Sequence, residues 1–135
     1  MATTQAAKGA SKVGWIKICG VRRVEDALWA AECGADAIGL NFWPEGKRYC
    51  DRHQAKAIVD AVGEKLRVIG VFVDASSESI ETLRKQLGFS WVQLHGEENE
   101  AALEALLPHA FKAIQLHPRK AKRQGCNEGG PSGRP

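Results

Sequence analysis

Arg67-Val68-Ile69-Gly70-Val71-Phe72-Val73 is the stretch on which the architecture turns. One charge precedes six residues that are apolar or Gly, and β-branched and aromatic types dominate. A strand with one wet face alternates polar and apolar residues. A parallel strand covered on both faces reads instead as a near-continuous apolar run, as here.

The flanking sequence repeats one strand–helix unit. Upstream, Asp51 is placed to cap a helix with Ala55, Ile58, Val59 and Val62 on one face and Gly63 at its end. Before it, Ala37 to Phe42 reads as a strand. Val24 to Cys33 reads as a helix, with Val24, Ala27, Leu28 and Ala31 at helical spacing and Gly34 as its stop. Trp15-Ile16-Lys17-Ile18-Cys19 is a short β-prone run. Downstream, Ser76 or Ser77 caps a helix with Ile80, Leu83 and Leu87 inward, and Gly88 stops it. Trp91 to Leu94 is the next strand, Ala101 to Leu107 a helix ended by Pro108, and Phe111 to Leu116 a fifth strand.

Such alternation imposes parallel pairing, because each helix returns the chain to the sheet's starting edge. An open doubly wound sheet and a closed barrel both satisfy it. A dinucleotide-binding sheet shows G-x-G-x-x-G after its first strand. This chain has Cys19-Gly20-Val21-Arg22 there, which favours the barrel.

The 135 residues, 44% of them apolar, suit one domain with a real core. No apolar run is long enough to span a membrane. Residues 1–14 lack the apolar core of a secretory signal and are expected to be a disordered leader on a cytoplasmic protein. The net charge of +3 is lopsided: residues 118–135 carry +4, from Arg119, Lys120, Lys122, Arg123 and Arg134 against Glu128, so the rest sums to −1. A body of that charge implies no nucleic-acid partner. Of the four cysteines, Cys19, Cys33, Cys50 and Cys126, none forms a C-x-x-C pair, so no metal is expected. Without a secretory signal they should be reduced thiols. A lone cysteine is by default a small buried hydrophobe, which suits Cys33 on the apolar face of its helix.

After Leu116 the pattern collapses. Residues 118–135 hold no aliphatic residue larger than Ala and are rich in Gly, Pro and Arg. A disordered basic tail is expected, since such a segment cannot bury enough apolar surface to offset ordering entropy. The abrupt change just after a strand has the look of a truncated or frame-shifted reading frame.

Four segments in order resemble the phosphoribosylanthranilate isomerase family of tryptophan biosynthesis. They are Lys17-Ile18-Cys19-Gly20 with Glu25-Asp26-Ala27; Gly34-Ala35-Asp36-Ala37-Ile38-Gly39-Leu40 running into Lys47-Arg48-Tyr49; Val68 to Val73; and Val92-Gln93-Leu94-His95-Gly96-Glu97. The resemblance covers residues 15–116. It implies the fold class α/β, an incomplete (β/α)8 TIM barrel of about the first five strands and four helices. It implies an Amadori rearrangement of an aminoaldose phosphosugar to an aminoketose, without metal or organic cofactor.

By resemblance Cys19 is the general base. The position is physically apt, because a barrel's active site lies at the C-terminal ends of its strands. A thiol acts as base only as thiolate, so positive potential must help it. Lys17, two residues earlier on the same side of the strand, is placed to supply it. Simple core packing is the competing reading of Cys19. Arg48 matches the family's Arg for the anthranilate carboxylate, a role suited to the guanidinium fork; an exposed loop Arg is the alternative. Gln93 and His95 point one way from the fourth strand, and both are expected to bind substrate. His95 at the rim is either a substrate contact or a hydrogen-bonded structural His. Asp74 is either a ligand or a loop residue ahead of a helix cap, and the second reading is preferred. His53 and His109 read as surface residues.

The resemblance places the general acid, an Asp, at the end of a sixth strand and the phosphate grip after the seventh and eighth. Those strands are not found in this sequence. Little activity is therefore expected of this chain alone. Open sheet edges should lead it to fold poorly or to self-associate. A non-catalytic half-barrel that pairs with a complementing fragment is the alternative function. Indole-glycerol-phosphate synthase, a neighbouring phosphosugar barrel, is disfavoured because its lysine and glutamate pairs are not seen.

Overall fold

The computed structural model describes residues 14–116. The expected tail, and all of the expected leader but Gly14, lie outside the described residues. The elements are β1 (Lys17–Cys19), α1 (Val24–Glu32), β2 (Ala37–Asn41), α2 (Arg52–Val62), β3 (Arg67–Phe72), α3 (Ser77–Leu87), β4 (Trp91–Leu94), α4 (Glu100–Glu104) and β5 (Ala110–Lys112). The strands form one sheet in the order β1-β2-β3-β4-β5, every pair parallel. This is the expected α/β architecture of a partial barrel.

Three of the four helices start at a side-chain cap, α1 having none. Asp51 and Gln54 form a reciprocal capping box at α2, and Ser76 and Asn99 accept from the third backbone N–H of α3 and α4. Each cap satisfies a donor that the first helical turn leaves orphaned. Gly88 ends α3 at φ 81, a left-handed conformation that glycine adopts without steric penalty.

Alternate strand residues divide between two faces. Ile38, Leu40, Val68, Phe72, Val92 and Leu94 pack in one cluster with Ala27, Ile58, Val62, Ile80 and Leu87 of the helices. The other face carries Lys17, Cys19, Gly39, Asn41, Ile69, Val71, Trp91 and Gln93. That face is concave. A flat sheet would hold β1 and β4 about 14 Å apart, three strand spacings. Yet Lys17 Nζ donates to Gln93 Oε1 at 2.5 Å across it. At the N-terminal end of this hollow Trp15, Arg67, Ile69, Trp91 and Phe111 line a cavity of about 230 Å³, with the Arg67 guanidinium 5.7 Å from the Trp91 ring centre.

Four expectations need correction. β1 begins at Lys17 rather than Trp15, because the Asp36 carboxylate takes the N–H of Ile16 at 2.7 Å ahead of the ladder. α4 ends at Glu104, three residues early: Leu106 N and Leu107 N bond to Leu103 and Glu104 three residues back, tightening the chain ahead of Pro108. β5 spans Ala110–Lys112 instead of residues 111–116. Its only neighbour, β4, stops at Leu94, whose carbonyl takes the N–H of Ala113, and beyond that the chain has nothing to pair with among the described residues. Cys33 is exposed, since the helix ends one residue earlier and Gly34 turns the chain away.

Among the described residues β1 and β5 each pair on one side only, leaving the open edges expected. Ile18 on β1 is 41% exposed, and Ile114 and Leu116 beyond β5 are 77% and 87% exposed. Among the described residues no helix is long and apolar enough to cross a membrane.

Candidate active site

At the C-terminal ends of the strands lies a cavity of about 460 Å³. It is lined by Cys19 at the end of β1 and Gly20 after it, Asn41 at the end of β2 and Trp43, Gly46, Lys47 and Arg48 after it, Val71 of β3 and Val73 after it, and Gln93 of β4 and His95 after it. All four site residues expected from the sequence, Cys19, Arg48, Gln93 and His95, line it. Parallel strands bring them together, because every strand ends at the same rim.

Side-chain hydrogen bonds link three of the strand residues to Lys17. Lys17 Nζ lies 3.5 Å from Cys19 Sγ and bonds Gln93 Oε1, and Gln93 Nε2 lies 3.2 Å from His95 Nδ1. Gly39 makes room for this. It pairs with Cys19 in the ladder, and a Cβ there would stand 2.7 Å from Sγ and 3.3 Å from Lys17 Nζ. Arg48 folds back over Gly20, and its Nη1 donates to the Cys19 carbonyl at 3.3 Å. Gly20 sits at φ 82, and a Cβ there would meet Arg48 Cδ at 2.5 Å. No carboxylate among the described residues pairs with Arg48, so its guanidinium faces the cavity with charge to spare.

The loop that carries Arg48 is held by Asn41. Its Oδ1 accepts the Trp43 N–H at 2.9 Å and its carbonyl accepts the Cys50 N–H at 2.8 Å. Among the described residues no group of three or more His, Cys, Asp or Glu is arranged to hold a metal ion.

A family model for N-(5'-phosphoribosyl)anthranilate (PRA) isomerase matches residues 16–127. The chain belongs to the phosphoribosylanthranilate isomerase family. The N-(5'-phosphoribosyl)anthranilate isomerase of Azotobacter vinelandii is 40% identical over 112 residues, which are 83% of this chain and 54% of that protein. The crystal structure of the Thermotoga maritima enzyme superposes with a TM-score of 0.74 at 34% identity, covering 77% of this chain and 52% of that one. A phosphoribosyl anthranilate isomerase solved with reduced 1-(o-carboxyphenylamino)-1-deoxyribulose 5-phosphate gives a TM-score of 0.71 at 35% identity, covering 78% of this chain and 55% of that one. The chain spans about half the length of the relatives it matches.

In this member of the isomerase family a polar clasp braces the rim beside the cavity. Glu98 accepts from Asp74 N at 2.8 Å, Gly96 N at 2.7 Å and Lys112 Nζ at 3.0 Å, with its side chain 3% exposed. Burial alone would raise its pKa, but those donors outweigh burial and hold the carboxyl below the usual carboxylate range. Asp74, at φ 52, accepts the Glu97 N–H at 2.8 Å. Asp74 thus lies in the loop between β3 and the α3 cap, Ser76.

Sequence reasoning missed Gly39, Asn41 and the Glu98 clasp. For Gly39 a signal existed: a glycine inside a strand marks close approach by other atoms. Asn41 offered a weaker one, as a polar residue closing an apolar strand.

Proposed function

We propose that the described residues form the base-bearing half of a cytoplasmic phosphoribosylanthranilate isomerase site. The reaction is the Amadori rearrangement of N-(phosphoribosyl)anthranilate to carboxyphenylamino-deoxyribulose phosphate. One observation carries the reading: Cys19 Sγ stands at the end of the first strand, with the Lys17 ammonium 3.5 Å away and Arg48 beside it in the same cavity.

In this mechanism a general acid protonates the ribose ring oxygen, and the ring opens to a Schiff base. Cys19, as thiolate, then takes the proton from the second ribose carbon to give an enolamine, which tautomerises to the ketone. The Lys17 ammonium is placed to donate to that sulfur. Arg48 supplies two parallel N–H groups for the anthranilate carboxylate. The ligand of the relative solved in complex carries an aryl carboxylate, the group Arg48 would hold in this reading.

The resemblance assigns the acid to a sixth strand and the phosphate grip to the loops after the seventh and eighth. None of these is among the described residues. Loss of a proton-transfer partner costs about a hundredfold to ten-thousandfold in rate, so the described half acts only when the other half is supplied. The unpaired edges of β1 and β5 favour a second reading, a half-barrel completed by another chain or by a second copy.

Complementation of an isomerase-deficient tryptophan auxotroph tests both. Growth is expected when the 135-residue chain is expressed with a fragment carrying the remaining strands, and not with either alone. No growth with the fragment overturns the isomerase reading. Growth with the chain alone overturns the dependence on a second half.

A further inference from the structure

Gln93 is expected from the sequence to touch substrate, but both ends of its amide are engaged by the protein. Its environment also determines which way round the amide sits. An ammonium can only donate, so the amide atom 2.5 Å from Lys17 Nζ is the oxygen. The other end is then the NH₂ group, which also only donates, and it faces His95 Nδ1 at 3.2 Å. Nδ1 must accept. The ring proton of a neutral His95 therefore resides on Nε2.

We propose that Gln93 is a positioning residue that converts the charge of Lys17 into a fixed tautomer of His95. Lys17 turns its ammonium to Cys19 on one side and orients the amide on the other. The amide leaves His95, which lines the cavity, with an Nε2–H donor. His95 then offers its ligand a hydrogen bond and accepts none from it. The group it meets is an acceptor oxygen of the substrate, such as a sugar hydroxyl or a developing carbonyl. The burial of Gln93, 8% exposed, fits this role, since a water that competed for either end would release the orientation. The identity of that oxygen as a sugar oxygen rests on the isomerase reading above; the tautomer does not.

Nitrogen NMR of the histidine rings in the 135-residue chain, without substrate and at pH 9 where imidazole is neutral, reads the tautomer directly. His53 is exposed and has no hydrogen-bond partner among the described residues, so it serves as an internal reference. In the unmodified chain His95 is expected to favour Nε2–H more strongly than His53, by roughly tenfold as one hydrogen bond implies. Gln93→Glu keeps an acceptor for Lys17 but presents oxygen to Nδ1, so the proton should move and the ratio invert. Lys17→Met frees the amide to turn, and His95 should relax to the ratio of His53. Equal ratios for His95 and His53 in the unmodified chain, or an unchanged ratio in Gln93→Glu, overturn the proposal. Should either variant fail to fold, the unmodified chain and the other variant still decide. Because no turnover is measured, failed complementation with an intact tautomer shift removes only the isomerase reading.

Discussion

On the helix-covered face of the sheet Ile38, Leu40, Val68, Val92 and Leu94 are each no more than 2% exposed, and they meet helix side chains of matching character. On the concave face Ile69 and Val71 are also buried, but Lys17, Asn41 and Gln93 stand among them, bonded to other polar groups. The first face is filled across β2, β3 and β4, and opens only toward Ile18 of β1, which is 41% exposed. The second faces a hollow that the described residues leave open. Stability and chemistry are therefore separated by a single residue step along each strand, because neighbours point to opposite faces. Leu94 lies between Gln93 and His95, yet it shares neither their partners nor their role.

The sharpest way to break that contrast is to change one residue on each face. Cys19→Ala, in the chain assembled with its complementing fragment, is expected to lower turnover about a hundredfold to ten-thousandfold. Its unfolding free energy from urea denaturation should change by no more than about 0.5 kcal/mol, as for an exposed position. Leu94→Ala should cost about 2–5 kcal/mol in the same denaturation, because it opens a void in a filled layer. Comparable effects of both variants on stability would erase the distinction between the faces.

The Glu98 clasp joins the faces at the rim, and it should answer to acid. Its folded pKa lies below that of the unfolded chain. Its contribution is thus complete above the ordinary glutamate value and lost as pH falls through the folded value. Glu98→Gln should cost about 1–3 kcal/mol at neutral pH, by weakening bonds to three donors, and should flatten the acid limb of a stability–pH curve. An acid limb as steep in the variant as in the parent would remove Glu98 from that role.

The smallest effect is expected at Gly39. An added methyl meets sulfur and ammonium rather than backbone, so Gly39→Ala should cost only about 1 kcal/mol. It should still part Lys17 from Cys19, seen as slower alkylation of Cys19 relative to the exposed Cys33. Cys50, whose thiol burial pushes up to about 11, stays out of that comparison. An unchanged ratio would show that the pair does not depend on the missing side chain.

Local chemistry explains what was legible. The capping box of α2 lies within four residues, and β4 matches its expected bounds because aromatic and branched residues end cleanly at Leu94. That Cys19, Arg48, Gln93 and His95 would meet in one cavity was legible because strand ends converge at one rim and because the quoted segments resemble a family. What was not legible is non-local. Lys17 and Gln93 are separated by 76 residues, and the Asp74–Glu98 contact by 24. The shortened β5 reflects its neighbour's length rather than its own residues. Cys33 was misread because a helix one residue shorter than expected takes it off the apolar stripe.

The reach of Lys17 across the hollow has a consequence for assembly. A link between the first and fourth strands is a chord of the arc they form, and its length limits how far the sheet can flatten. The side chain that serves the sulfur thus also helps set the radius at which further strands must join. On the isomerase reading proposed above, a change that relaxed this strut would loosen the curvature of the sheet as well as the contact with Cys19.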